Sequence, residues 1–209
     1  KYYIAQIQDM DERKAMEEAL RTQKEELRKA NTALQKMASE DSLTEIANRR
    51  MFMAWFESEA SAHRRRPRPF ALAIADIDFF KSYNDQYGHP EGDVALRTIA
   101  QVLTSRLRQQ DKIARFGGEE FIFLFPDTDE ARCYQICEGL RQHIEKITSL
   151  RRPVTISIGG VTVVPKAERA LDFDMLFKIA DAELYEAKHT GRNQVRVKMT
   201  QNNDHSDNG

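Results

Sequence analysis

Apolar positions along this chain fall into two periodicities and one continuous run, and each predicts a different element. From Met16 to Met37, residues Met16, Leu20, Gln23, Leu27, Ala30, Leu34 and Met37 alternate spacings of four and three. That is a heptad seam with one polar interruption at Gln23, and charged residues fill the other faces. A helix polar over most of its surface needs a partner for its stripe, so the seam predicts a parallel dimerising coiled coil. The alternative is a solvated single helix lying on the domain that follows. Ahead of the seam, YYIAQIQ at 2–8 is aromatic and β-branched and predicts a strand. DMDERK at 9–14 then starts the helix, with Asp9 or Asp11 as its N-cap.

The character changes at Asp41. Met51, Phe52, Trp55 and Phe56 give a helix its apolar face, and the prolines of HRRRPRP (63–69) predict a solvated basic surface loop. PFALAIADID (69–78) is a continuous apolar run ending in carboxylates. It predicts a buried central strand with acids at its C-terminal end, where sheet-based sites usually lie. Helices are expected over 91–109, 129–147 and 172–191, the last stopped by Gly191, and strands over 154–163 and 194–198. KIARF, GGEE and FIFLF (112–125) predict a hairpin around a glycine turn. TQNNDHSDNG is a polar tail, expected to be disordered. Paired strands with intervening helices give the fold class as α/β: a central mixed, mostly antiparallel sheet flanked by helices, with an N-terminal helical coiled-coil extension.

Composition narrows the function classes. The 32 basic and 33 acidic residues leave a net charge of -1, which excludes the broad basic surface that nucleic-acid wrapping or anionic-membrane binding would use. There is no run of 18 or more apolar residues, so no membrane contact is expected in this segment. No signal peptide is recognisable, and the opening KYYIAQIQ reads as mid-protein. A parent protein is expected to extend upstream, where a membrane anchor would be compatible with this segment. Cys133 and Cys137 sit one helical turn apart and read as small buried apolar residues in a reducing cytosol.

The chemistry gathers in two acidic groups, Asp76 and Asp78 at the end of the buried strand and Glu119 and Glu120 at the hairpin turn. Carboxylates withdrawn from water cost free energy unless paired or metal-bound. Two acidic clusters on neighbouring strand ends suit Mg²⁺, a hard cation that shares carboxylate ligands with substrate phosphates. Two such ions can clamp an in-line phosphoryl displacement. Gly117 and Gly118 supply a tight turn and let a base or phosphate approach the backbone. Alone, a glycine pair is ordinarily a turn and a D-x-D strand end a surface cap; their joint presence in one domain carries the argument.

RFGGEEF (115–121) resembles the signature of the GGDEF family of diguanylate cyclases, in its GGEEF form. DSLTEIANRR (41–50), DIDFFKSYNDQYGHPEGD (76–93) and YEAKHTGRN (185–193) resemble three further motifs of that family in the right order. The match covers about residues 38–198, and YYIAQIQDMDERK is similar to the last strand and exit motif of a PAS sensor domain. The resemblance implies residues 1–10 as the end of a truncated PAS-like domain, 11–40 as linker, 41–198 as a catalytic domain of the nucleotidyl-cyclase palm type and 199–209 as tail.

The resemblance also implies roles. Asp76 and the Ile77 carbonyl would ligate Mg²⁺, for which Mn²⁺ can substitute. Glu119 would ligate metal and deprotonate the attacking 3'-hydroxyl, with Glu120 as a second ligand. Lys81 would stabilise triphosphate charge, and amides around Phe79 and Phe80 would meet phosphates. Asn84 and Asp93 would hydrogen-bond guanine, which explains GTP over ATP. His89 would lie near base or ribose, or serve only the turn after Gly88. Lys188 and Arg192 would reach the β- and γ-phosphates, while Asp78 would shape the site. Each domain would bind one GTP substrate, and two domains in a homodimer would join their nucleotides into cyclic di-GMP with loss of pyrophosphate, driven by an upstream sensor domain in a bacterial cytoplasm. Arg108 and Asp111, the latter separated from Gly117 by five residues, resemble the family's R-x-x-D site, where product binds as inhibitor. Some members add an arginine from the following helix; an ungapped count puts Gly139 there, with Arg141 two residues on. Three other readings stand beside this one. They are an inactive domain that binds GTP or cyclic di-GMP and signals by contact, an adenylyl-type cyclase, and a coiled-coil dimeriser with an inert domain. The intact GG-Glu119-Glu120 turn, the Asn84 and Asp93 pair, and the acidic clusters respectively argue against them.

Overall fold

A computed structural model describes residues 2–164 and 171–201. The chain divides into two units, one ending at Ser39 and one starting at Glu40. The first is a single helix, α1 (Tyr2–Ser39). Its seam residues Met16, Leu20, Leu27, Leu34 and Met37 are 64–78% exposed in the single chain. The strand expected over 2–8 is not there: those residues, with Asp9 and Asp11, lie inside the helix. Strand propensity acts through pairing with a neighbour, whereas a helix satisfies its own backbone groups. No helix among the described residues is long and apolar enough to cross a membrane.

The second unit is a six-stranded sheet in the order β1-β3-β4-β2-β5-β6. β1 (Ala47–Asn48) leads into α2 (Arg49–Arg65), which Asn48 caps by accepting a bond from the Met51 amide. β2 (Phe70–Ile77) runs into α3 (Phe80–Tyr87) and α4 (His89–Ser105). β3 (Lys112–Gly117) and β4 (Glu120–Pro126) form the expected hairpin. α5 (Glu130–Glu145), β5 (Ile156–Val164), α6 (Phe173–His189) and β6 (Val195–Gln201) follow. β2 is antiparallel to both β4 and β5, while the β1–β3 and β5–β6 pairings are parallel. The sheet is mixed and mostly antiparallel, as the pattern predicts.

Every residue of β2 is buried. The reason lies in the layers. Ala71, Ala73, Ala75 and Ile77 face a core with Phe121, Phe123, Leu96, Ile99 and Cys137, whereas Leu72 and Ile74 face a second core with Phe52, Phe56, Leu176 and Leu184. Helices cover both sides, so the strand shows no alternation in sequence. Each fully buried Phe or Leu contributes about 1.5–3 kcal/mol. Cys133 and Cys137 are buried in the first core, as expected.

Several boundaries differ from the sequence reading: the helix expected over 91–109 runs from His89 to Ser105, short of Arg108, and two further differences have a plain cause. α2 continues through Arg65, and His63 is buried, because the first proline of HRRRPRP comes only at Pro67. Basic residues also suit a helix C-terminus. The tail begins later than 199, since β6 continues its parallel ladder with β5 to the pair Val164↔Gln201. Ladder bonds are made by backbone and tolerate the polar side chains there. Residues 202–209 lie outside the described residues.

Candidate active site

The C-terminal end of β2, the β3–β4 turn, the start of β5 and the turn after α6 all meet at one end of the sheet. Register places Asp76 directly opposite Glu120 on one side and Ser157 on the other. The two acidic groups of the sequence are therefore neighbours. Gly118 turns the hairpin with φ of 50°, the left-handed region that glycine enters without strain. Arg115 holds the turn from below: its Nε and a terminal nitrogen donate to the Gly118 carbonyl at 2.9 and 2.7 Å, and its other nitrogen pairs with Asp41 at 2.9 Å. Burial pushes the Asp41 carboxyl up, but bonds from Thr44 and Arg115 outweigh it and hold the group below its ordinary range. The entry motif thus braces the glycine turn.

Asp76 is 7% exposed, and its carboxyl is pushed up to about 6. Burial is the main cause; Lys188 opposes it, and the charges of Glu119 and Glu120 add to it. Lys188 Nζ sits 2.8 Å from Asp76 Oδ2. Glu120 is raised as well, by burial first, with Lys188 opposing and the charges of Asp181 and Glu119 adding. Asp181 is an acidic neighbour that the sequence reading did not single out. It precedes Lys188 by seven residues, two helical turns, so the shared face was legible in spacing.

The site's fit to a divalent cation follows from this crowding. Among the described residues no three acidic or imidazole side chains already form a cage. Magnesium does not need one, because it keeps waters and takes one or two carboxylates together with substrate phosphates. Asp76, Glu119 and Glu120 are mutually repelling hard-oxygen donors, the first of them desolvated. A cation among them would offset that cost, so the donor set fits. Ile77 is buried in the core, which leaves only its backbone carbonyl for such a role.

Asp78 has a different job, in line with the sequence reading. Its carboxylate accepts from Thr155 Oγ1 and Ser157 Oγ, each at 2.7 Å, and from the Asn193 amide at 3.0 Å. Asn193 Oδ1 in turn accepts from Arg141 at 2.7 Å. The buried carboxylate ties β2, β5 and the turn after α6 together.

The remaining expected residues lie on α3, on α4 and in α6 and the turn after it. Phe79 is the N-cap of α3 with φ of 57°, its ring exposed and the Arg192 guanidinium 4.3 Å above it. Phe80 packs in the core, so only its amide is available. Asn84 Oδ1 is buried without a partner and lies over Gly92, where a Cβ would collide with it. Asp93 follows that glycine on α4, half-buried, while Lys81 and His89 are exposed. Arg152, which the sequence reading also passed over, donates to the Phe79 carbonyl at 3.3 Å.

Arg108 and Asp111 lie elsewhere, at the opposite end of β3 and roughly 20 Å along the strand from the glycine turn. The Arg108 amide donates to Asp111 Oδ2 at 3.0 Å, and the buried Oδ1 has no partner. A cavity of about 210 Å³ opens there, lined by Arg106, Arg108, Asp111, Arg132, Gly139 and His143 among others. Gly139 is among the residues that line it. Arg141 is not, being engaged with Glu138, Glu145 and Asn193. Arg132 is a further cation that lines this cavity. A slightly larger cavity, about 240 Å³, lies against His63, Phe70 and Asp127 and shares no residue with the acidic cluster.

The family model described as the diguanylate cyclase GGDEF domain matches residues 38–194. The chain is 38% identical over 168 residues to the Escherichia coli K12 protein named probable diguanylate cyclase DgcT, covering 78% of this chain and 36% of that one. It is 34% identical over 196 residues to diguanylate cyclase DgcM of the same strain, covering 93% of this chain and 43% of that one. Its fold is similar to the crystal structure of the coiled coil and GGDEF domain of DgcB from Caulobacter crescentus in complex with c-di-GMP. That match has a TM-score of 0.79 and 26% identity, and covers 88% of this chain and 98% of that one. The chain thus spans well under half the length of these curated relatives.

Proposed function

The chain belongs to the GGDEF family of diguanylate cyclases, and from that premise we propose that it condenses two GTP molecules into cyclic di-GMP. The observation that carries this is the register of Asp76 against Glu120, with Glu119 beside them, at the mouth of a buried strand. Relatives named diguanylate cyclases support the same reading.

In this reading Asn84, whose buried Oδ1 lacks a donor, and Asp93 accept from the N–H edge of guanine. The missing donor is what adenine, lacking that edge, fails to supply. His89 borders the base or ribose. The amides of Phe79 and Phe80, with Lys81, Lys188 and Arg192, hold the triphosphate, and Gly117 and Gly118 leave room for it against the turn. Lys188 stands in as counter-charge to Asp76 until the nucleotide arrives. A Mg²⁺ held by Asp76, the Ile77 carbonyl, Glu119 and Glu120 would neutralise charge at the α-phosphate, with Mn²⁺ as a substitute. Glu119 takes the proton from the 3'-hydroxyl of the partner's nucleotide. The oxygen bonds to the α-phosphorus, the bond to pyrophosphate breaks, and repetition closes the ring.

One domain carries half the reactants, so two must meet across a shared cleft, and orientation is the main catalytic lever. The exposed seam of α1 supports a dimer that raises the effective concentration of the two domains. α1 acts as that linker, residues 41–201 as the catalytic domain, and a sensor domain upstream of α1 as the input. The Arg108–Asp111 cavity binds product as inhibitor, with the orphaned Asp111 Oδ1 awaiting a guanine N–H. GTP supply and the unpaired thiols of Cys133 and Cys137 suit a bacterial cytoplasm.

The test is chromatography of purified chain incubated with GTP and Mg²⁺ at concentrations where it is dimeric. Cyclic di-GMP and pyrophosphate are the expected products. An unchanged GTP peak overturns the reading in favour of a domain that only binds nucleotide.

A further inference from the structure

Phe79 is a poor residue for its position by every local criterion. It caps α3 without a side-chain hydrogen bond, where Ser, Thr, Asp or Asn would supply one. Its backbone is left-handed, at φ 57° and ψ 30°, which a bulky side chain rarely adopts. Its ring is 59% exposed and so adds little to the core. What the ring does have is a cation: the Arg192 guanidinium lies 4.3 Å from its centroid.

Both ends of this stack are built in. The Arg192 amide donates to the Ala187 carbonyl at 2.9 Å, and the next amide, of Asn193, donates to Asp78 Oδ2 at 3.0 Å. Asp78 immediately precedes Phe79, and its own amide donates to the Thr155 carbonyl at 2.9 Å. On the other side Arg152 donates to the Phe79 carbonyl at 3.3 Å while its guanidinium rests over Tyr83. Two left-handed turns, at Phe79 and at Arg192, are therefore fixed to one buried carboxylate.

We propose that the exposed Phe79 ring is a platform that holds the Arg192 guanidinium ready for a polyphosphate, making Phe79 a positioning residue for the nucleotide. A guanidinium stacked by its face keeps its in-plane N–H groups free for bidentate bonds to phosphate oxygens. Stacking also removes rotamers that Arg192 would otherwise lose on binding. This inference rests on the reading of the cleft as a GTP site and goes beyond it by giving the Phe79 side chain, and not only its amide, a role.

The test is calorimetric titration of the full chain, with Mg²⁺, by a GTP analogue carrying a methylene bridge between the α- and β-phosphorus. Phe79→Ala and Phe79→Leu are expected to weaken binding roughly two- to fivefold, while Phe79→Tyr, which keeps a π-face, holds the parent affinity. Phe79→Gly separates this role from backbone structure. It removes the left-handed strain, so its thermal midpoint should not fall below that of Phe79→Ala, yet its affinity should match Phe79→Ala. Parent-like affinity in Phe79→Leu, or loss in Phe79→Tyr as large as in Phe79→Ala, overturns the platform alone. No binding by the parent chain overturns the nucleotide reading and the platform with it.

Discussion

Asp76 and Asp78 stand two residues apart at the end of one strand, both under 10% exposed, in opposite settings. Asp78 is supplied with donors from Thr155, Ser157 and Asn193, and behind Asn193 stands Arg141. Asp76 has one cation, Lys188, and faces the carboxylates of Glu119 and Glu120. A buried charge with its hydrogen bonds made is scaffolding, whereas one left short of partners and crowded by like charge is held in reserve for a ligand. The contrast assigns strain to the catalytic side and satisfaction to its support.

The largest expected effect breaks the catalytic side. Asp76→Asn should lower cyclic di-GMP formation by about a thousandfold or more while raising stability at pH 8 by up to roughly 3 kcal/mol, since the amide removes a buried charge. Rate assays and urea unfolding on the same preparation check both, and the opposed signs are the point. Breaking the support should do the reverse. Asp78→Ala orphans the hydroxyls of Thr155 and Ser157 and the Asn193 amide, and a loss of about 3 kcal/mol of stability is expected by denaturant unfolding.

The next effect is one of pH. Asp76 titrates at about 6 when folded, against an ordinary 3.8. Between those values the folded chain keeps a proton that the unfolded chain has released. Its contribution to stability therefore declines as pH rises through the window, by about 1.4 kcal/mol per unit, and is flat above it. Asp41, held low by bonds from Thr44 and Arg115, and Glu138, held low by Arg141, act in the opposite sense at lower pH. The difference between parent and Asp76→Asn isolates the Asp76 slope; parallel stability curves between pH 4 and 6 (about the range of the shift) would contradict it. The smallest effect lies at the distant cavity. Arg108→Ala should relax product inhibition about tenfold in steady-state assays. Gly139→Arg should tighten it, because open space surrounds that position.

Much of this was legible in the sequence. The continuous apolar run ending at Asp76 and Asp78 and the glycine turn each specify a buried strand and a hairpin, and one parity of residues in β2 faces each core. The N-terminal strand was misread because YYIAQIQ carries propensity but no partner. α3 was passed over because its residues were read for chemistry instead of periodicity. Contacts between segments distant in sequence were hidden, among them Lys188 on Asp76, Arg115 on Asp41 and Arg132 in the cavity beside Arg108. They depend on how helices dock across the sheet, which local pattern does not encode.

In the proposed reaction, carboxylates from β2 and from the hairpin turn share one divalent cation beside a bound nucleotide. Titration with Mn²⁺, followed by electron paramagnetic resonance in the presence of the methylene-bridged GTP analogue, tests it directly. Tight Mn²⁺ binding by the parent, weakened about tenfold or more by either Asp76→Asn or Glu119→Gln, is the expected result. Equal Mn²⁺ affinity in all three proteins would contradict it.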